Sequence, residues 1–395
     1  MMWNLIKNEF IKLRYRKKYI ICIIAFALIC AIFSVVYAKM KIATTPDAMI
    51  ASYKQTKTSL EQKSKSISDS TLKQQYQQQI SQIDQQIQQY ETSKKESTTN
   101  WKKQLKNSID SLKDEKNSAS DISENTSKES YNKQIIYYQY LLNHNIKPED
   151  PNAISVSDFL QSLLKLIGYI LVPIIIAIFS ADIVSGEYTP PTVKVLLTKP
   201  ASRAKILASK FIASVVSCVA IIIIIELLSY IIMGIVYGFN NPSYPVIVGT
   251  KYLNTGIKLT QDSTGLIPVL GSSYIVPLWQ FIVETFLFQI LFIIACCTFF
   301  ILLSVLLKSS VLSMTLGIMS IIALNIISQI SSIHVILPFL FTSYGSPADT
   351  LNNSIPTTSG LTFATCIFGV FFLIIFSAIC YGLADYTFKK KDMLV

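Results

Sequence analysis

The sequence has little of what catalysis and covalent cross-linking use. It holds two histidines and no His-Glu-x-x-His, Gly-x-Ser-x-Gly or paired-carboxylate motif. No catalytic constellation is indicated, and the chain reads as a non-enzyme. Its seven cysteines are Cys22, Cys30, Cys218, Cys296, Cys297, Cys366 and Cys380, with no Cys-x-x-Cys pair among them. Neither a zinc site nor a disulfide framework follows, and they read as small buried apolar residues. A Gly-x-x-x-x-Gly-Lys-Ser/Thr phosphate loop is absent, so that nucleotide-binding device is excluded on this chain. Glycine and cysteine are missing from residues 39–157, which are rich in Gln, Lys and Ser. Arginine is scarce beside lysine, and Ile and Asn are abundant, a composition that fits an AT-rich bacterial genome.

What is present in quantity is apolar sequence, 51% of 395 residues, and it is clustered. Several runs reach about 20 residues, enough to cross a bilayer's hydrocarbon. Six spans are predicted: Tyr19–Ala38, Asp158–Phe179, Ile206–Phe239, Pro277–Leu307, Val311–Ile330 and Leu361–Leu383. The fold class expected is an all-α polytopic membrane protein of six transmembrane helices with a helical insert. The first run has Val36 and Ala38 where a signal peptide would be cleaved. It is long for such a segment, however, and its removal would break the even span count.

The short flanks of the spans set the orientation. Lys7, Lys12, Arg14, Arg16, Lys17, Lys18, five cations between Ser185 and Lys210, Lys308 and Lys389–Lys391 lie on one side. Lys251 and Lys258 lie on the other. Both termini, the loop 180–205 and the basic tail 384–395 are therefore expected in the cytoplasm. Loops 240–276 and 331–360 and the insert 39–157 are expected outside a plasma membrane. Lysines and acids nearly balance in the insert, so the net charge of +11 gathers on the cytoplasmic face. There it meets anionic lipid, and nothing calls for nucleic acid.

Residues 1–18 predict an interfacial helix, with Trp3, Ile6, Phe10 and Leu13 on one stripe. In the insert, Leu72, Tyr76, Ile80, Ile83, Ile87 and Tyr90 come close to a heptad seam. Trp101, Leu105, Ile109 and Leu112 make a second stripe, and Ile135, Tyr138, Leu141 and Leu142 a third. A turn is placed around Glu91–Asn100. The pattern predicts an antiparallel helical hairpin or a three-helix, coiled-coil stalk; the other reading of this composition is disorder. Loop 240–276 reads as irregular structure. Loop 331–360 begins with IHVILPFLF, too short to span and broken by Pro338, and is expected to dip back into the membrane.

Three ionisable residues fall more than five residues inside a span: Lys165, Glu226 and Glu284. Such residues are costly in lipid and usually face protein or water. Lys165 and Glu284 each lie seven residues from the outer end of a span, about 10 Å deep. One expectation is that they pair or line one outward-facing cavity; the other is that both snorkel to the headgroups. Glu226 is near the middle of the third span, so it is protonated or hydrogen-bonded to a neighbouring helix, with a place in a substrate path as a further reading. Asn325, Gln329 and Ser332 form a polar stripe that helix–helix hydrogen bonding explains.

The segment SGEYTPPTVKVLLTKPASRAKILASK, Ser185–Lys210, carries five cations and one acid. Thr189 before Pro190 and Pro191 is a helix start. Val193, Leu196 and Leu197 make a small apolar face, Pro200 stops the helix, and Ser202 caps the next one. By itself this helix suits either a groove on a cytosolic partner or the headgroup layer.

The segment resembles the cytosolic loop of ABC-2-type transporter permeases. The matching positions are Glu187, Thr189, Leu196, Leu197, Pro200, Ser202, Arg203 and Lys210. That family often has Gly-Thr-Leu where this chain has Tyr188–Thr189–Pro190–Pro191, which bears on where the helix starts. The six spans, cytoplasmic termini and amphipathic N-terminal helix match the same family, while the large insert is not covered by it. The resemblance implies a half-transporter working with a second permease copy or paralogue and two cytosolic ATPase subunits, which carry the ATP and Mg. It makes Glu187, Thr189, Val193, Leu196, Leu197, Pro200, Arg203 and Lys210 the ATPase-coupling residues, and no cofactor is expected on this chain. The function expected is export of a peptide, antibiotic or lipid-like substrate. The alternative is a non-transporting membrane-anchored coiled-coil protein for secretion assembly or envelope signalling. A lipid-modifying enzyme would need a polar cluster that the sequence lacks.

Overall fold

A computed structural model describes residues 2–66, 69–118, 125–150, 153–188, 202–256 and 265–390. The predicted coupling helix Thr189–Lys199 lies outside these residues. The helices, in chain order, are α1 (Met2–Tyr15), α2 (Lys17–Ala43), α3 (Pro46–Ser66), α4 (Ser70–Thr99), α5 (Trp101–Ser118), α6 (Asn125–Asn143), α7 (Val156–Gly168), α8 (Leu171–Ser180), α9 (Arg203–Tyr237), α10 (Leu278–Leu306), α11 (Ser310–Ser328), α12 (Pro347–Leu351), α13 (Ser354–Ser359) and α14 (Cys366–Lys390). Five of them, α2, α9, α10, α11 and α14, are each long and apolar enough to cross a membrane. The bent pair α7–α8, taken together as one broken span, is a sixth candidate. The last span starts at Cys366 rather than Leu361, because 361–365 are still turn and loop.

α10 is the centre of the bundle. Of its most apolar stretch 56% is buried, against at most 33% in the other four long helices. Phe292, Ile293, Cys296, Cys297 and Phe300 of α10 pack with Ile176 and Ala177 of α8, Phe26 of α2, Cys218 of α9 and Leu373 of α14. The outward faces of α2, α11 and α14 stay apolar and exposed, as lipid-facing surfaces must.

The second span was expected to be continuous, and it is broken. α7 and α8 meet at 54°. Pro173 has no N–H to give the carbonyl four residues earlier, which is that of Tyr169. Asn325 of α11 supplies the missing donor, with Nδ2 3.0 Å from Tyr169 O. At the same bend Gly168 meets Gly345, and a Cβ at Gly168 would sit 1.9 Å from Gly345 O. The break and the close approach dock residues 331–360 against the bundle. That segment begins with 3₁₀ turns over Ser331–Phe339 and Phe341–Tyr344. Tyr344 is fully buried, with its hydroxyl donating to Pro338 O at 2.7 Å.

Loop 240–276 is not irregular throughout. Pro245–Val248 pairs antiparallel with Tyr274–Pro277, and Tyr252–Asn254 with Leu266–Pro268. The β-branched run PVIV suits a strand, but a run of four gives too weak a period to read from sequence. Among the described residues the insert holds four helices, α3 to α6, where a hairpin or a three-helix stalk was expected. α3 packs on α4 through Tyr53–Tyr90 and the Lys57–Asp84 pair at 2.6 Å. α5 packs on α6 through Leu105, Leu141 and Ile146. The chain breaks at Asn100, the last residue of the expected turn. The insert is fastened to the ribbon by buried Glu129, which accepts from Ser273 Oγ at 2.6 Å and from Gly271 N at 2.7 Å. Tyr137 OH donates to Tyr244 OH at 2.8 Å beside it.

The Gly168–Gly345 contact gives a stability test. Gly168→Ala must push two backbones apart and should cost about 1–3 kcal/mol, read as a lower apparent Tm in detergent. Gly382→Ala, where an added Cβ meets nothing within 4 Å, should leave Tm unchanged or raise it.

Candidate functional site

The polar centre of the molecule lies where α1, the end of the second span and the start of α9 meet. Ser202 caps α9, its Oγ accepting from Lys205 N at 3.4 Å. Two turns later Lys210 faces inward and is 1% exposed. Its Nζ is 2.6 Å from Glu187 Oε1, 3.2 Å from Glu9 Oε2 and 3.1 Å from Ile183 O. Lys12 of α1 lies at the rim, 2.8 Å from Glu9 and 2.9 Å from Glu187. Burial works against its charge, but Glu187 and then Glu9 outweigh it and hold the ammonium above its ordinary pKa.

A second carboxylate extends the knot. Asp182 takes Arg16 at 3.1 Å and also Lys18, both at the turn from α1 into α2. Between the acids, the backbone N–H groups of Val184 and Ser185 both donate to Ser304 Oγ of α10, each at 3.0 Å. Arg203 at the start of α9 donates to Lys389 O at 2.9 Å. α1, the last turn of α14 and both flanks of segment 189–201 are therefore held at one end of the bundle. Three buried carboxylates share four cations, so each charge finds a partner and the cost of desolvation is offset.

Of the residues singled out in the sequence, the structure brings Glu187 and Lys210 into direct contact and puts Arg203 at the same end. Thr189, Val193, Leu196, Leu197 and Pro200 lie outside the described residues. Lys165 and Glu284 do not meet. Lys165 pairs with Asp349 at 3.1 Å, and Glu284 accepts from Gln280 at 2.8 Å. They line two different cavities. The first, about 720 Å³, lies among α7, α11 and residues 334–358 and includes Lys165, Tyr169, Asn325, Gln329 and His334. The second, about 820 Å³, lies between α10, the ribbon and the start of α14 and includes Glu284. Glu226 is fully buried and accepts from Gln289 Nε2 of α10 at 2.8 Å, where either protonation or a bond to a neighbouring helix was expected. The stripe Asn325, Gln329, Ser332 is cut short because α11 ends at Ser328.

Sequence reasoning missed Glu9, Asp182, Asp349 and Gln289. Glu9 follows Ile6 by three residues and so shares the inner face of α1; that spacing was the available signal. Asp182 was an acid at a basic membrane boundary, a second one. The face of α1 that buries Ile6, Glu9 and Leu13 turns toward α9, while Trp3 is exposed. Among the described residues no group of three or more His, Cys, Asp or Glu is placed to hold a metal ion.

A bundle of apolar helices, a broken second span and an ionic knot flanking a basic segment define a multi-pass helical membrane protein. The sequence pattern of the ABC-2 family transporter protein matches residues 3–393. The chain belongs to that family. No curated protein matches it.

The knot predicts strong non-additivity. Lys210→Met leaves buried Glu9 and Glu187 with only the rim ammonium of Lys12 between them and should destabilise by up to about 3–5 kcal/mol, read as apparent Tm. Adding Glu9→Gln and Glu187→Gln to that variant should recover most of the loss, since the three charges act as one unit.

Proposed function

We propose that the chain is the transmembrane permease subunit of an ATP-driven exporter in a bacterial plasma membrane. Family members generally work with ATP-binding partners. In this reading the partner is a cytosolic ATPase carrying ATP and Mg, and a second permease copy or paralogue completes the translocating unit. Both termini are cytoplasmic, and residues 39–157 stand outside the cell. The charge bias supports this orientation, because the basic flanks and the knot share one end of the bundle.

One observation carries the coupling reading. Glu187 and Lys210 flank segment 189–201 and are clamped to each other, and Lys210 also holds Glu9. A partner that grips Val193, Leu196 and Leu197 would therefore not move a slack loop. Its displacement would reach α1, the second span and α9 together. The substrate is read as a peptide, antibiotic or lipid-like molecule, which suits two cavities at the far end from the ATPase.

The test is recovery of partners from native membranes in mild detergent. The native chain should bring down an ATP-binding-cassette ATPase. Leu196→Asp with Leu197→Asp should lose it while the permease stays folded. Envelope or secretion proteins recovered in place of an ATPase would overturn the transporter reading in favour of an anchored stalk.

A further inference from the structure

Glu284 remains without a role in the account so far. It sits on the second turn of α10, about 10 Å from the start of that helix. A carboxylate at such depth normally has a cation or several donors. Among the described residues Glu284 has the one hydrogen bond from Gln280 and no ion-pair partner. An ionised carboxylate can accept about four hydrogen bonds, so most of its capacity is unused.

What surrounds it is apolar and aromatic. Tyr252 and Tyr274 of the ribbon, Phe288 of α10 and Phe363 before α14 line the same cavity. The mouth opens sideways. Leu287 is 61% exposed, and Phe363 and Ile367 beside it are exposed as well, so the cavity gives onto the lipid-facing surface between α10 and α14. Lys251 is also on the lining, but its side chain is exposed at the ribbon, where water weakens its field. Glu284 is half-buried, where a charge acts more strongly. The other cavity differs, since its lysine already has Asp349 as counter-ion.

We infer that the cavity between α10 and α14 binds cationic amphiphiles that enter from the membrane, with Glu284 as counter-ion and Tyr274, Phe288 and Phe363 as the aromatic wall. The volume of about 820 Å³ falls in the range of ligand pockets, roughly 300–1,000 Å³. Aromatic faces attract a positive group as well as apolar surface. A neutral amphiphile would leave the carboxylate unpaired in an apolar setting, and an anionic one would be repelled by it. As a statement about cargo, the inference deepens the export reading and rests on it. As a binding site it stands without any ATPase.

The experiment uses the full chain in lipid nanodiscs with no ATPase present, so its outcome is separate from that of the partner-recovery test. Fluorescence titration compares rhodamine 6G, a lipophilic cation, with Nile red, a neutral dye, after subtraction of empty discs. Glu284→Gln keeps the side-chain shape and the bond from Gln280. It should weaken rhodamine binding about tenfold, the scale of one charge contact in a partly dry site, and change Nile red binding less than about twofold. Leu287→Trp, at a lipid-exposed position that leaves the core packing intact, narrows the mouth and should weaken both dyes. Unchanged rhodamine binding in Glu284→Gln, or an equal loss of both dyes, overturns the inference. Should Glu284→Gln not fold, Leu287→Trp decides alone, and full rhodamine binding by that variant overturns it.

Discussion

One buried ammonium organises the end of the molecule where α1 and the last turn of α14 lie. Lys210 is shared by Glu9 and Glu187, which stand 201 and 23 residues away in sequence. Any arrangement that carries α9 away from both α1 and the second span strands its ammonium in a nearly dry site and leaves Glu9 and Glu187 with Lys12 alone. The cost of doing so is several kcal/mol, whereas the intact cluster adds little net stability over an apolar packing of the same volume. Its effect is therefore on uniqueness. α1 could have lain anywhere in the headgroup layer by its amphipathic stripe alone. Glu9 makes one azimuth and one register acceptable, and the pairs of Asp182 with Arg16 and Lys18 fix the following turn.

Away from the knot, at the bend of the second span, order is imposed largely by backbone groups, with the Lys165–Asp349 pair beside them. Pro173 frees the Tyr169 carbonyl, Asn325 takes it, and Gly168 allows Gly345 to come within reach. These contacts seat residues 331–360, which could not lie against lipid with unpaired backbone. Midway, Glu226 and Gln289 make a single hydrogen bond between α9 and α10. The three depths thus use three devices: an ion cluster near water, a side-chain hydrogen bond in the middle, and a side chain completing a broken helix. Each matches the cost of a polar group at its depth.

The parts of this design legible in the sequence are those with a long period or a charge bias. The spans were readable because about 20 apolar residues have no other common use, and Ser202 was readable as a cap because its offset from the next helix is fixed. Glu187 and Lys210 stood out because they match the acid and the lysine in the loop of the family that the segment resembles. Their partner Glu9 did not, because a lone acid in a basic amphipathic segment looks like part of its solvated face. The break at Tyr169–Ile170 was hidden for a different reason. A proline inside an apolar run is tolerated if a neighbouring helix supplies the missing donor, and nothing in one span tells which residue of another will do so. Lys165 illustrates the same limit. Depth alone suggested Glu284, yet Asp349 reached it first, carried there by a folded-back segment whose path depends on the Gly168–Gly345 contact. The ribbon was lost because strands of three or four residues leave no period to count.

The two spans that flank segment 189–201 differ mechanically. α9 is one unbroken helix of 35 residues, about 50 Å long, anchored by Lys210 near one end and by Glu226 in the middle. A displacement at its start is carried along its length with little loss. The second span cannot behave that way, since its hydrogen-bond ladder is interrupted at Tyr169 and its halves meet at an angle. Asp182 and Glu187 tie the α8 half to the knot, while Lys165 and Asp349 tie the α7 half to residues 331–360. In a transporter driven through segment 189–201, the same push would therefore translate α9 and bend the second span. Unequal responses of neighbouring helices to one force are what change the shape of a cavity, and the cavity containing Lys165 lies beside the bend.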